Sequence, residues 1–191
     1  MIKRVPRFVV AVFVTSVLSA CSMLAPKAAV SVQQTQTLRD SGAAPVKVGT
    51  FTSQGADAHD QSISIRGSGM ASPYGSYAKY LEEAIRLQLK EAGLFDEASK
   101  AEVSGTLIKN DINAAGFVTA SGDISARFQV RRGEKVVYDK IKDAHVEWGS
   151  NFLGAIAIPR AQEAYPGLVS TLLGALFGDA EFLSSLKSAK D

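Results

Sequence analysis

A strict alternation of apolar and polar residues over 124–131 constrains the fold more than any other feature of the sequence. Ile124, Ala126, Phe128 and Val130 are apolar, and the residues between them are Ser, Arg, Gln and Arg. Because successive side chains of a strand point to opposite faces, this pattern predicts a strand with one buried and one solvated face. Such strands are typical of antiparallel sheets, since parallel sheets are buried on both faces.

Neighbouring segments predict the rest of the sheet. Segments 103–107 and 136–148 also alternate, and Gly133 lies in a short turn before the second of them. Two earlier apolar segments, 46–51 and 62–66, predict further strands. We therefore expect an antiparallel sheet of about four strands, joined by short turns.

Helices are predicted before and after the central strands. Ser76 and Gly93 are typical N-cap and C-cap residues, and the apolar residues between them recur at helical spacing. In the C-terminal part, we expect Pro159 to begin a helix, Pro166 to interrupt it and Asp179 to cap a last short helix. The order β-(β)-α-β-β-β-α-α predicts an α+β fold with helices packed on one face of the sheet.

Residues 1–20 have the composition of a secretory leader. They contain three basic residues, no acidic residue and an apolar run over 8–18. This run is too short for a membrane-spanning helix, which needs about 20 apolar residues. Small residues follow the run, and Cys21, the only cysteine of the chain, comes directly after them.

Leu18-Ser19-Ala20-Cys21 resembles the lipobox of bacterial lipoproteins. The resemblance implies cleavage between Ala20 and Cys21 and attachment of a diacylglycerol to the Cys21 thiol, a reaction for which a hydroxyl is too weak a nucleophile. It implies a membrane as partner, held by the covalent lipid, and no other cofactor. Because Ser22 is not an aspartate, it also implies transfer to the outer membrane, with the domain facing the periplasm. The alternative is a plain secretory signal with an incidental cysteine.

Three regions of the chain are predicted. Residues 1–20 form the signal peptide, residues 21–44 a lipidated N-terminus with a flexible tether, and residues 45–191 a single periplasmic α+β domain. The tether is predicted because residues 22–44 are rich in Ala, Ser, Gln and Thr and show no sustained period. An edge strand over 30–37 is the alternative.

Composition and motifs argue against several functions. A net charge of +2 excludes a strongly basic nucleic-acid binder, and one cysteine excludes a disulfide framework. Asp57, His59 and Asp60 could bind a metal, but His145 is the only other histidine and nothing completes the ligand set, so we predict no metal site. The glycines of 67–69 lack the rest of a phosphate-binding loop, and no serine-hydrolase motif is present. We therefore predict no catalytic residues and no enzyme activity.

Aromatic residues are the candidates for partner binding. Tyr74 and Tyr80 are spaced by three from Tyr77 on either side, and we expect Tyr77 in the core and the other two at a recognition rim. Trp148 and Phe152 lie in a glycine-flanked segment that is either a partner-binding loop or a hinge folded over the core.

The turn around Gly133 carries a cluster of basic residues. Arg131, Arg132 and Lys135 could contact anionic lipid or peptidoglycan, although Glu134 dilutes the positive charge. A solvated turn without a ligand is the other interpretation.

The leader and the order of elements make the chain similar in plan to the YajG-type small periplasmic lipoproteins. More distant similarities are to the Lpo activators of peptidoglycan synthases and to LptE. Segments 72–77, 80–89 and 152–159 carry this resemblance, and none is a catalytic motif. It implies a non-catalytic binding or structural role, as an accessory to an envelope protein assembly. The alternatives are a binder of peptidoglycan or lipid ligands and an unrecognised periplasmic enzyme.

Overall fold

The computed structural model describes residues 23–187, so the predicted leader and Cys21 lie outside the described residues. The strands are β1 (Met23–Leu24), β2 (Lys47–Ser53), β3 (Ile63–Ile65), β4 (Ser68–Ala71), β5 (Ala101–Asn113), β6 (Thr119–Arg132) and β7 (Lys135–Gly149). The helices are α1 (Val32–Asp40), α2 (Tyr77–Ala92), α3 (Gly154–Phe177) and α4 (Ala180–Ser185). The predicted α+β class and the packing of helices on the sheet are confirmed.

The main sheet has four strands in the order β2-β5-β6-β7. Strands β5, β6 and β7 form the predicted antiparallel meander, with Phe128 opposite Gly105 on one side and Lys140 on the other. β2, however, pairs with β5 in parallel, so the expectation of a purely antiparallel sheet is corrected. A parallel neighbour is possible because the chain between β2 and β5 includes α2, and such a crossover lets the chain re-enter the sheet in the same direction.

A second sheet has three strands in the order β1-β4-β3. The short strand predicted over 62–66 is β3, and Arg66 and Gly67 form the hairpin turn between it and β4. Both turn residues have positive φ, 50° for Arg66 and 83° for Gly67, as tight hairpin turns require. β1 pairs with β4 in parallel, and Met23 lies opposite Met70.

Helix α2 begins and ends where the sequence predicts. The Ser76 side chain accepts a hydrogen bond from the backbone N–H of Lys79, and Gly93 closes the helix with φ of 74°. Its apolar face, which includes Leu81, Ile85 and Leu89, is fully buried. A helix with this one-sided burial is held mainly by its packing on the sheet.

Helix α3 is longer than predicted and is not interrupted at Pro166. It begins at Gly154, ahead of Pro159, and runs through both prolines to Phe177. An interior proline costs about 3 kcal/mol because it removes a backbone donor. Burial of apolar residues on both sides of Pro166, such as Ala161, Leu168 and Leu172, offsets this cost.

Residues 23–44 belong to the folded domain, which corrects the prediction of a flexible tether and also its alternative, an edge strand. Helix α1 packs against α2, and Leu38 is completely buried. The buried amide of Gln88 holds the start of α1: its oxygen accepts from the Ser31 N–H at 2.9 Å, and its nitrogen donates to the Ser31 carbonyl and the Thr35 hydroxyl. A polar segment can dock in this way because its few inward groups find specific partners.

Candidate functional site

Two loops at one end of the main sheet expose large apolar side chains. The first joins β5 to β6, and the second joins β7 to α3. Phe117 and Val118 are 74% and 78% exposed, and Phe152 is 67% exposed. Leu153 and Ile156, beside Phe152, are also exposed. We call these five residues the apolar end; such a contiguous exposed patch is characteristic of a protein or membrane contact.

Arg66, in the β3–β4 turn, holds the two loops together. Its guanidinium donates to the carbonyls of Ala114 and Gly116 in the first loop, at 2.6 and 3.0 Å. It also donates to the carbonyls of Asn151 and Phe152 in the second loop, at 2.7 and 2.9 Å. Five donors in a planar fork allow one arginine to bridge several carbonyls. The end of the small sheet is therefore joined to the apolar end.

Backbone hydrogen bonds and close packing keep the apolar end ordered. The N–H of Ser150 donates to the carbonyl of Val118 at 2.7 Å, which links the loops directly. The Asn151 side chain accepts from the Leu153 N–H at 2.9 Å, in a tight polar turn. A Cβ at Gly116 would lie 2.1 Å from the Thr119 carbonyl oxygen, so only glycine fits there. The exposed aromatic residues are thus held on a defined scaffold.

The turn at Arg66 and the two loops that it joins carry no acidic residue. Residues 66 and 67 and segments 112–122 and 148–162 contain neither Asp nor Glu. Arg160, an exposed cation in the last of these segments, donates to the carbonyl of Ser150 in the second loop at 3.4 Å. Arg66 and Arg160 are therefore the charged side chains of these segments.

The structure places the predicted tyrosines in a cluster beside residues 26–28. Tyr80 is fully buried and donates to the Pro26 carbonyl, so its predicted place at a rim is wrong. Tyr74 is half-buried, accepts from the Ala28 N–H, and its ring centre lies 5.4 Å from that of Tyr80. Tyr77 and Tyr165 complete the cluster. Burial raises the pKa of Tyr77 and of Tyr80 well above the ordinary tyrosine value.

Of the predicted aromatic pair in the second loop, Phe152 is exposed and Trp148 is half-buried. The Trp148 ring lies over Gly122, where a Cβ would approach it to 3.3 Å, so this side chain is largely part of the packing under α3. Partner binding by Tyr74, Trp148 and Phe152 stays a prediction. Sequence reasoning missed Phe117 and Val118, although two apolar residues after a glycine between alternating strands are unusual for a solvated turn.

The two histidines lie in different environments and do not form a common site. His59 Nδ1 donates to the backbone carbonyl of Asn110 at 2.9 Å, which occupies that nitrogen. His145 is exposed on the outer face of the sheet and bonds Asp123 at 3.0 Å; this carboxylate raises the pKa of His145. An open depression of about 330 Å³ adjoins His145. Among residues 23–187, no group of three or more His, Cys, Asp and Glu could hold a metal ion.

The basic turn lies at the opposite end of the sheet and is partly used in packing. The Arg132 guanidinium donates to the carbonyl of Ser185 at the end of α4. Arg131 lies 3.7 Å from the Glu134 carboxylate. Cations at a helix C-terminus stabilise its unpaired carbonyls, so Arg132 has a structural role whether or not the turn binds a ligand.

Comparisons with known proteins identify no family. No family model matches the chain, and no curated protein sequence matches it. A Xanthomonas campestris protein assigned to DUF330 is 14% identical, with 74% of this chain and 84% of that chain covered and a TM-score of 0.47. A protein from Caulobacter crescentus, described as a candidate lipoprotein, is 12% identical, with coverages of 82% and 99% and a TM-score of 0.45. Similarities this low establish neither function nor location.

Within residues 23–187, no helix is both long and apolar enough to cross a membrane.

Proposed function

We propose that the chain is a lipid-anchored protein of the bacterial cell envelope with a non-catalytic binding role, as an accessory to an envelope protein assembly. One observation carries the proposal: a short basic and apolar leader ends at the only cysteine of the chain, in the sequence Leu18-Ser19-Ala20-Cys21. A leader of this form supplies the thiol that a lipid-transferring enzyme needs.

The start of the described fold supports an anchor close to the domain. β1 begins at Met23, two residues after Cys21. Two residues span at most about 7 Å, because each adds no more than 3.6 Å. A lipid on Cys21 therefore holds the domain at the membrane surface rather than on a long tether.

A binding role is favoured over catalysis by the groups that the described residues present. Their histidines are separate, and the surface around the apolar end is built from apolar side chains and backbone rather than from titratable groups. General acid–base and nucleophilic catalysis need such groups within hydrogen-bond reach of each other.

Substitution of the cysteine tests the anchor. In Cys21→Ser, we expect loss of incorporated radiolabelled fatty acid and loss of the wild-type level of protein in the membrane fraction, because a serine hydroxyl does not replace the thiol. Ser22→Ala is the matched control and should remain labelled and membrane-bound. Normal labelling and membrane association of Cys21→Ser would contradict the proposal.

Position 22 tests the proposed outer-membrane location. Ser22→Asp should move the labelled protein from the outer- to the inner-membrane fraction of a sucrose gradient, while Ser22→Ala stays in the outer-membrane fraction. If Ser22→Asp stays in the outer-membrane fraction, the proposal that residue 22 directs the protein to the outer membrane is contradicted. The proposal of a lipid on Cys21 is not affected by that result.

The accessory role is tested by crosslinking in cells, followed by purification of the lipidated protein from detergent-solubilised envelopes and mass spectrometry. A protein partner recovered in stoichiometric amount is expected. Recovery of the chain alone would contradict the accessory role and favour the alternative of a peptidoglycan or lipid ligand.

A further inference from the structure

We propose that the apolar end, formed by Phe117, Val118, Phe152, Leu153 and Ile156, is a lipid-contacting surface that inserts into the membrane leaflet carrying the anchor. The inference rests on the lipid anchor proposed above and assigns a second point of membrane contact to the same molecule. It also fixes the orientation of the domain, with the main sheet standing on the membrane rather than lying along it.

The direction of β1 brings the anchor to the correct end of the molecule. Because β1 runs parallel to β4, the step from Leu24 back to Met23 leads toward the turn at Arg66 and Gly67, where β4 begins. Cys21 lies two residues further back in the sequence, so its Cα is no more than about 7 Å from that of Met23. The chain therefore enters the fold close to the β3–β4 turn.

The same turn is joined to the apolar end. Arg66 contacts the carbonyl of Gly116, next to Phe117, at 3.0 Å, and the carbonyl of Phe152 at 2.9 Å. The anchoring point and the exposed aromatic residues consequently share one side of the domain. Because the Cα of Cys21 is within about 7 Å of that of Met23, a lipid on Cys21 keeps the side of the domain that carries the apolar end close to the bilayer.

The chemistry of the apolar end suits a lipid surface. Phe117 and Phe152 project from loop tips that are held in place by backbone hydrogen bonds, so inserting them costs little ordering entropy. No carboxylate lies in the two loops or in the turn at Arg66, whereas Arg160 is exposed and donates to the Ser150 carbonyl of the second loop. Apolar groups flanked by cations and without acids match the acyl chains and anionic headgroups of a bilayer surface.

Fluorescent labels at the two ends of the sheet test this orientation. In the lipidated protein, Cys21 is blocked, so a single introduced cysteine can be labelled with an environment-sensitive fluorophore. Phe152→Cys places the label at the apolar end. Glu134→Cys is the matched control, since Glu134 is exposed in the turn at the opposite end of β6, roughly 45 Å away for a strand of 14 residues.

Both labelled proteins are reconstituted into vesicles of phosphatidylethanolamine and phosphatidylglycerol, and quenching is measured with brominated lipids and with aqueous iodide. We expect the label at 152 to lose most of its iodide quenching and to be quenched by brominated lipid. The label at 134 should show the reverse. Adding Phe117→Asp to the Phe152→Cys protein should restore iodide quenching while the protein still floats with the vesicles.

The outcomes separate the inference from the anchor on which it rests. Flotation with equal iodide quenching at 152 and 134 overturns the inference alone and leaves the anchor standing. A label at 152 that is shielded from iodide but not quenched by brominated lipid indicates a protein contact and also overturns it. Failure of the lipidated protein to float overturns both.

Discussion

The side chain of Arg66 and the backbone of Phe152, 86 positions apart in the sequence, are joined by a hydrogen bond of 2.9 Å from the guanidinium Nη1 to the carbonyl oxygen. Three further hydrogen bonds of the same guanidinium reach the carbonyls of Ala114, Gly116 and Asn151. One side chain therefore sets the relative positions of the two loops of the apolar end.

Arg66→Ala should lower the free energy of unfolding by about 2 kcal/mol, since hydrogen bonds from a charged donor are lost and four carbonyls lose a partner. The Ser150 amide, which bonds the Val118 carbonyl, should exchange its hydrogen faster, because the two loops separate more often. Urea unfolding and amide hydrogen exchange measure the two effects.

Arg66→Lys and Arg131→Ala are the controls for this prediction. Arg66→Lys keeps the charge but lacks the planar fork of donors, so it should be nearly as destabilised as Arg66→Ala. Arg131 is exposed, and its substitution should change stability by no more than about 0.5 kcal/mol. Wild-type stability of Arg66→Lys would show that charge alone, rather than hydrogen-bond geometry, holds the loops.

Gln88→Leu should release helix α1 from the domain. The change leaves the Ser31 N–H without the acceptor that it has at 2.9 Å and removes one of the hydrogen bonds that the Ser31 carbonyl accepts, in a place where Gln88 itself is 1% exposed. We expect the free energy of unfolding to fall by about 2–3 kcal/mol and proteolysis within residues 31–44 to become faster. Gln36→Leu is the matched control on the exposed side of α1; equal proteolysis of the two variants would contradict the role of Gln88.

The contrast between α1 and the central strands shows which parts of this fold can be predicted from its sequence. The alternation around Phe128 is a local pattern, and so are the caps at Ser76 and Gly93, so they predict the meander and α2 correctly. Helix α1 has only Thr35 and Leu38 buried, which is too few for a recognisable apolar period, and its partner, Gln88, is 53 residues from Thr35. Contacts of this kind are decided by tertiary packing.

The candidate site is predictable in the same partial way. The glycine-flanked aromatic segment points to Phe152, but spacing alone does not separate the buried Tyr80 from the half-buried Tyr74, since both lie near one helix start. The link through Arg66 connects segments 48 to 86 residues apart, and no periodic pattern signals such a contact. The site as a surface therefore emerges only from the fold.

Gly105→Ala should destabilise the main sheet. Gly105 lies between Phe51 on β2 and Phe128 on β6, whose ring centres are 6.3 Å apart. A Cβ there would be 2.4 Å from the Phe51 ring and 3.0 Å from the Arg127 carbonyl oxygen, so the ring has to move. We expect the free energy of unfolding, measured with urea, to fall by about 2–3 kcal/mol, as is typical of overpacked cores.

A double variant isolates the contact between Gly105 and Phe51. If the clash with the Phe51 ring dominates, Gly105→Ala should lower the free energy of unfolding less in a Phe51→Leu background than in the wild type. A double-mutant cycle measures this difference. Gly149→Ala is the control, because a Cβ at this position would have no neighbouring atom within 4 Å and the backbone there is not left-handed. Additive effects of the two core changes would place the strain on the Arg127 carbonyl instead.

Asp179 should make stability depend on pH in the acidic range. Its carboxylate accepts from Lys142 Nζ at 2.7 Å and from the Tyr138 hydroxyl at 3.0 Å, and its side chain is only 11% exposed. The Lys142 hydrogen bond holds the pKa of Asp179 well below its usual range. Because the folded-state pKa is lower than the unfolded value of about 3.9, the stabilisation is present above that value and is lost as the pH falls through the folded-state pKa.

Asp179→Asn tests this dependence. At neutral pH, the free energy of unfolding of the variant should be about 1–2 kcal/mol lower than that of the wild type. The amide can still cap α4, but it no longer pairs with the charge of Lys142. The difference from the wild type should shrink as the pH falls from 6 to 3, measured by urea unfolding at each pH. In this range the unfolded wild-type chain takes up a proton at Asp179 that the folded state does not bind, which favours unfolding of the wild type alone. Asp143→Asn, at an exposed position of β7, is the control and should show a small difference at every pH. A constant difference for Asp179→Asn across this range would assign its effect to packing rather than to the charge that Lys142 stabilises.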